Sequence, residues 1–306
     1  MSTYGPRLPG GSLMILALGG FVGGGACGSS GGGGVGGAAG ATTDAAAEVA
    51  VDTGPTSCAG KAISLESNVP ANSDSARSRV MVDFTATTDT DLPLGNSPRT
   101  VELWAYVLST SWRGDANTIF EYGNQSVGNA GFGLDFGGTA GTIDPYTNGT
   151  FDNDNQPTMI DSTMDQWIHF AMTYDQAAVM LYVNGNYMAG MVGSRKTVTG
   201  GMLATARTAL TIGGNPRGAY FNGEIDELRM WNVARTQAEI MATMNTTLAG
   251  NEPGLVGYWK FDDGAGATAA DSVTTAGHIA HDGTLMAAIP DMNPVRVDST
   301  APIHCP

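Results

Sequence analysis

Phe221–Asn232, FNGEIDELRMWN, and Leu181–Val192, LYVNGNYMAGMV, decide the fold between them. The second stretch is two alternating apolar runs joined by Asn184-Gly185. That dipeptide best tolerates the positive φ angles of a two-residue type I′ turn, so a β-hairpin is predicted. The first stretch puts Leu228 and Met230 on one face of a strand, and a helix start follows directly.

Outward from these, strand signals recur. Arg79–Phe84 alternates Val80, Val82 and Phe84 against Arg79, Met81 and Asp83. Thr100–Leu108 puts Val101, Leu103, Ala105 and Val107 on one face, with Glu102, Trp104 and Tyr106 opposite. Asn117–Gly123 and Gly131–Gly137 read as short strands with glycine boundaries. Gln166–Asp175 alternates Ile168, Phe170, Met172 and Tyr174 against Trp167, His169, Ala171 and Thr173. Period-2 alternation at this density, with turn residues between, predicts an all-β, two-sheet antiparallel sandwich. One short helix is expected from Thr236, where Thr236-Gln237-Ala238-Glu239 has capping-box spacing. Ile240 and Met244 would pack it down. A further strand, Leu255–Phe261, and a glycine-rich turn follow.

In this order the motifs resemble the LamG-like jelly-roll family, the laminin-G, pentraxin and concanavalin A type of sandwich. The matching residues are Trp167-Ile168-His169, Tyr174-Asp175, the Leu181–Gly185 hairpin and Gly213-Gly214. They continue through Asn222–Trp231, Ala234–Ile240, Tyr258–Gly264 and Asp271-Ser272. The resemblance implies a β-sandwich most often used for extracellular recognition of sugars or proteins.

The ends carry a different signal. Arg7 precedes an apolar run, Leu13–Val22, and then Gly23–Cys27. Ten apolar residues are too few to span a bilayer core, which needs roughly 20. They suit a secretory signal, here residues 1–26. Cys27 after a small residue resembles a bacterial lipoprotein signal, with Cys27 lipidated as the first mature residue and the protein held in the cell envelope. Gly24 departs from that pattern, which has a Leu-like residue there. Cleavage after Ala39-Gly40-Ala41 is the alternative; it would discard Cys27 and release the protein. Residues 27–57 are rich in Gly, Ser and Ala, the composition of a flexible tether, and leave residues 58–306 as the jelly-roll domain.

Net charge is −15, with only 14 Lys and Arg. Phosphate backbones and anionic headgroups are repelled by such a surface, so nucleic acid is excluded as a partner and membrane contact is expected only through a lipid anchor. A secreted context permits disulfides, and with Cys27 lipidated only Cys58 and Cys305 remain. The family brings its first and last strands together, which implies a Cys58–Cys305 bridge; two free buried thiols are the alternative.

Glu224-Ile225-Asp226-Glu227 is the one catalytic candidate. Sandwich glucanases of this architecture carry Glu-x-Asp-x-Glu or Glu-x-Asp-x-x-Glu, and retaining hydrolysis needs two carboxyls about 5–5.5 Å apart. Leu228 and Arg229 occupy the second-glutamate positions here. In a regular strand Glu227 would point away from Glu224 and Asp226. No catalytic residue is therefore assigned, and these acids are expected to be polar strand positions and a partner for Arg229. His278-Ile279-Ala280-His281-Asp282 lacks zinc-site spacing and reads as a solvated loop; His169 reads as a packed, hydrogen-bonded polar group.

Calcium takes six to eight oxygen ligands, and Asp152-Asn153-Asp154-Asn155, with Asp144 upstream, is an oxygen-rich loop that would suit it. Pentraxins place acidic calcium ligands in the turn that is Gly214-Asn215-Pro216-Arg217 here, and none is acidic. Trp112 and Tyr146, read as exposed, are candidates to stack a sugar ring. The expectation is a non-enzymatic envelope-bound or secreted module binding glycan or protein. Its rivals are a divergent or inactive sandwich glycoside hydrolase and a purely structural envelope or matrix protein.

Overall fold

Alternating apolar positions become strands, and the computed structural model describes them over residues 60–65, 78–108, 117–124, 127–136, 143–147, 164–188, 195–197, 203–215, 220–287 and 293–305. In chain order the strands are β1 (Lys61–Leu65), β2 (Arg79–Asp83), β3 (Arg99–Val107), β4 (Asn117–Gly123), β5 (Gly131–Phe136) and β6 (Ile143–Tyr146). Then come β7 (Trp167–Tyr174), β8 (Ala178–Val183), β9 (Asn186–Tyr187), β10 (Arg195–Thr197), β11 (Ala209–Ile212) and β12 (Gly223–Trp231). Helix α1 (Gln237–Thr243) precedes β13 (Leu255–Trp259), β14 (Thr268–Ala269), β15 (Gly283–Met286) and β16 (Val295–Asp298).

Two sheets result. The first runs β10-β8-β7-β3-β12-β1-β16, with β13 also on β12 and β9 on β8; the second runs β14-β15-β2-β11-β4-β5-β6. The strand pairs are antiparallel, as expected for a jelly-roll sandwich. Val80, Val82 and Phe84 from one sheet and Val101, Leu103, Ile168 and Phe170 from the other are fully buried in the core between them. Asn184 and Gly185 take φ of 49° and 72°, the left-handed pair that the β8–β9 turn requires.

The outer face of the first sheet is also largely covered. Thr236 caps α1 through the predicted capping box, and Ile240 is buried against Ala171 and Tyr182. Met244, expected to pack like Ile240, is the half-buried C-cap, and its carbonyl accepts a 2.7 Å bond from the Trp104 indole. The last residues cross the same face: Ala301 and Ile303 pack on Trp104, and Trp167 Nε1 donates to Thr300 Oγ1 at 2.9 Å.

The His278–Asp282 segment is a loop with Ile279, Ala280 and Asp282 exposed, as expected, but its two histidines are held by the fold. Asp271 gathers it, accepting the His281 amide at 3.0 Å and bonding His278 Nε2 at 2.8 Å. His281, 5% exposed, bonds Asp89 at 2.8 Å and meets the Phe84 ring edge-on. The Trp259 indole donates to the His281 carbonyl.

Cys305 is disulfide-bonded, whereas Cys58 and Cys27 lie outside the described residues. Non-reducing peptide mapping is expected to recover Cys305 linked to Cys58, and Cys305→Ser to cost about 2–5 kcal/mol of stability. Recovery of a Cys27–Cys305 peptide would refute that pairing.

Candidate functional site

Strand β12 holds the acidic motif, and its alternation is broken. Its register with β3 shifts between Asp226 and Arg229, and Glu227 sits in the left-handed region at φ 51°. This bulge falls where the neighbour of β12 changes from β1, opposite Gly223–Ile225, to β13, opposite Leu228–Trp231. One extra residue resets the phase. Ile225, Leu228 and Met230 all join the core, so Asp226, Glu227 and Arg229 share the outer face. Glu227 therefore lies on the same side as Glu224 and Asp226, contrary to the regular-strand expectation.

On the shared face the two carboxylates of Asp226 and Glu227 are each engaged by other groups. Asp226 and Glu227 are 1% and 4% exposed. Glu227 is ion-paired to Arg229 at 2.6 Å and bonded to the hydroxyl of Tyr258. Asp226 accepts from Ser299 Oγ at 2.6 Å and from the Glu227 amide at 2.7 Å. Both carboxylates are spoken for by the fold. Burial opposes the Arg229 charge, but Glu227 and Glu102 outweigh it and raise its pKa. Glu102 also pairs with Arg235 at 2.6 Å. His169 lies beside them, and burial, then Arg229 and Arg235, hold its pKa well below the usual range. It is packed as expected, yet its Nδ1 makes no hydrogen bond.

One row of this outer face stays partly open. Glu224 stands opposite Tyr106, and Tyr106 opposite Trp167. All three are half-buried. The two rings meet edge to face, centroids 5.8 Å apart. Burial raises the Glu224 carboxyl above its ordinary pKa. Adjacent aromatic surface and a carboxylate acceptor are the groups that take the apolar face and the hydroxyls of a sugar. Alternation alone turns Tyr106 and Trp167 away from the core; only the β3–β7 register brings them together.

The outer face of the second sheet holds the other sequence candidates. Asp144 lies on β6, not in a loop, directly opposite Asp135 of β5. Tyr146, opposite Gly133, is 5% exposed rather than exposed, and its hydroxyl donates to Glu121 at 3.3 Å. A Cβ at Gly133 would collide with its ring. Glu121 and Asp135 were missed because alternation alone makes them ordinary polar strand positions. Trp112, Asp152 and Asp154 lie outside the described residues, and among those described no three His, Cys, Asp or Glu side chains are gathered to hold a metal.

Residues 82–241, more than half of the chain, match the Laminin_G_3 family, described as the Concanavalin A-like lectin/glucanases superfamily. The chain belongs to that superfamily. Pappalysin-1 of Mus musculus is 37% identical over 84 residues, 26% of this chain and 5% of that protein. The Homo sapiens protein is 36% identical over 84 residues, with the same coverage. The chain thus spans only a small fraction of the length of the curated relatives it matches. A Bacteroides ovatus protein provisionally described as carbohydrate binding shares the fold, with TM-score 0.51 and 21% identity over 80% of this chain and 61% of that one.

Burial raises the Asp226 carboxyl well above its ordinary pKa, with Ser299 opposing and Glu227 adding to the shift. The folded state thus holds this proton to higher pH than the unfolded chain does. Stability from Asp226 is present in acid and lost as pH rises through its folded pKa. Asp226→Asn is expected to raise Tm at neutral pH, by about 2–4 °C for each kcal/mol gained. The difference should vanish near pH 4 in paired thermal melts.

Proposed function

We propose that the protein is a non-enzymatic glycan-binding module, and that the Glu224–Tyr106–Trp167 row is where it binds. The observation that carries this reading is the partly open pair of aromatic rings beside a half-buried carboxylate on a rigid sheet. Membership of a superfamily that includes lectins agrees with it. The burial of Asp226 and Glu227, both engaged by the fold, speaks against a hydrolase.

Probed against a panel of polysaccharides and glycoproteins, the full chain is expected to bind a glycan. Trp167→Ala with Tyr106→Ala should weaken that binding at least about tenfold, or 1.4 kcal/mol, with the circular dichroism spectrum unchanged. No reducing sugar should be released from β-1,3 or mixed-linkage glucans. Unaltered binding by the double variant would move the site elsewhere, and hydrolysis lost in Glu224→Gln would restore the glycosidase reading.

We also propose that Cys27 carries lipid and ties the domain to a bacterial envelope. A fatty-acid probe should label the protein expressed in a bacterium, and Cys27→Ser should abolish the label. A mature N-terminus at Thr42 would instead indicate a secreted protein.

A further inference from the structure

We infer that the ligand is an uncharged glycan gripped along an internal stretch of its chain, laid across the strands of the first sheet; this rests on the glycan-binding reading above. Glu224, Tyr106 and Trp167 are part of a longer line. Ser64 of β1 stands opposite Glu224, and Val295 of β16 stands opposite Ser64. Side chains from five adjacent strands therefore form one row, Val295–Ser64–Glu224–Tyr106–Trp167. At the usual strand spacing of about 4.8 Å the row is about 19 Å long. That length suits several sugar units side by side, each meeting one strand.

The next row is closed. There Asp226 bonds Ser299, and Trp104 lies under Ala301 and Ile303. The segment Ser299–Ile303 thus walls one flank and touches the row itself at Trp167, whose Nε1 donates to Thr300 Oγ1. The cavity lined by Val107, Leu108, Asn117, Phe136, Met164, Phe221 and Asn222 lies among core residues between the sheets, not on this face, and its ≈ 10 Å³ is about the room of one water. At the β16 end of the row Val295, 51% exposed, borders a groove of ≈ 410 Å³ shared with Lys61, Asp263, Gly264, Pro294 and Arg296. A chain can continue past that point. Recognition then comes from many units touched weakly, not from one unit enclosed.

The charge pattern selects against acidic sugars. Glu224 is the row's one ionisable side chain besides the Tyr106 phenol, and the whole chain carries −15. The two cations at the groove are committed, Lys61 to Asp298 and Arg296 to Asp263. A uronate or sulfated unit would meet a carboxylate with no free cation of the row to balance it.

Calorimetric titration of the full chain tests this, using cello-, xylo-, manno- and laminari-oligosaccharides from mono- to hexasaccharide, with oligogalacturonates as the anionic set. In the series that binds, affinity is expected to rise about tenfold or more from disaccharide to tetrasaccharide as further subsites fill. The oligogalacturonates should not bind. Val295→Asp should weaken the hexasaccharide about threefold more than it weakens the disaccharide, since the aromatic end is untouched. Equal affinity for mono- and hexasaccharide, binding of oligogalacturonate, or no effect of Val295→Asp would overturn the inference and leave the glycan reading standing. Failure of every series to bind, neutral and anionic alike, would overturn both.

Discussion

The structure turns on the ion cluster beneath α1, in which Glu102 of β3 faces Arg229 and Arg235 while Glu227 pairs with Arg229. These groups are almost wholly buried. Removing one partner of such a cluster leaves an uncompensated charge, a loss of about 3–5 kcal/mol. The cluster therefore fixes which segments may cover this face. Arg229 also donates to the carbonyls of Thr243 and Thr246, the end of α1 and the turn beyond it. Arg235 donates to the Glu239 carbonyl and Thr243. Charge satisfaction and helix placement are one event.

The bulge in β12 makes that event possible. Strict alternation from Ile225 would turn Glu227 and Arg229 into the hydrophobic core and Leu228 outward. One inserted residue at positive φ returns Leu228 and Met230 to the core and delivers two opposite charges to the same side. The strain of a non-glycine left-handed residue, about 1–3 kcal/mol, is offset by the ion pair and the Tyr258 bond that it allows.

How much of this the sequence disclosed follows from range. The sandwich, the Asn184-Gly185 turn and the Thr236–Glu239 cap are local patterns, written within a few residues, and the structure bears them out. The Glu227 bulge has no such mark, because glutamate is not a residue that announces positive φ. Tyr146 is buried because it lies over Gly133 with its hydroxyl on Glu121, a fact of β4–β5–β6 pairing. His281 finds its partner at Asp89, 192 residues earlier. The row proposed to bind glycan is hidden for the same reason. Tyr106 and Trp167 each read as outward-facing, but nothing in either segment states that their strands are neighbours.

The closed and open halves of the first sheet's outer face have one origin. A two-sheet sandwich needs only its inner faces covered, so a sheet whose outer face carries Trp104, Trp167, Tyr182 and Trp231 must bury them against something else. Helix α1 takes Tyr182, the segment around Leu248 takes Trp231, and Ala301 and Ile303 take Trp104. The cover thins at the Ser64–Glu224–Tyr106–Trp167 row, where β12 begins and β3 nears its end, and there the last residues touch only the Trp167 end. The hydrophobic effect that closes most of the face is left unsatisfied along this line, and the aromatic surface remaining there is held rigid by the same pairs that bury the rest. A ligand with an apolar ring face would complete what the chain leaves undone.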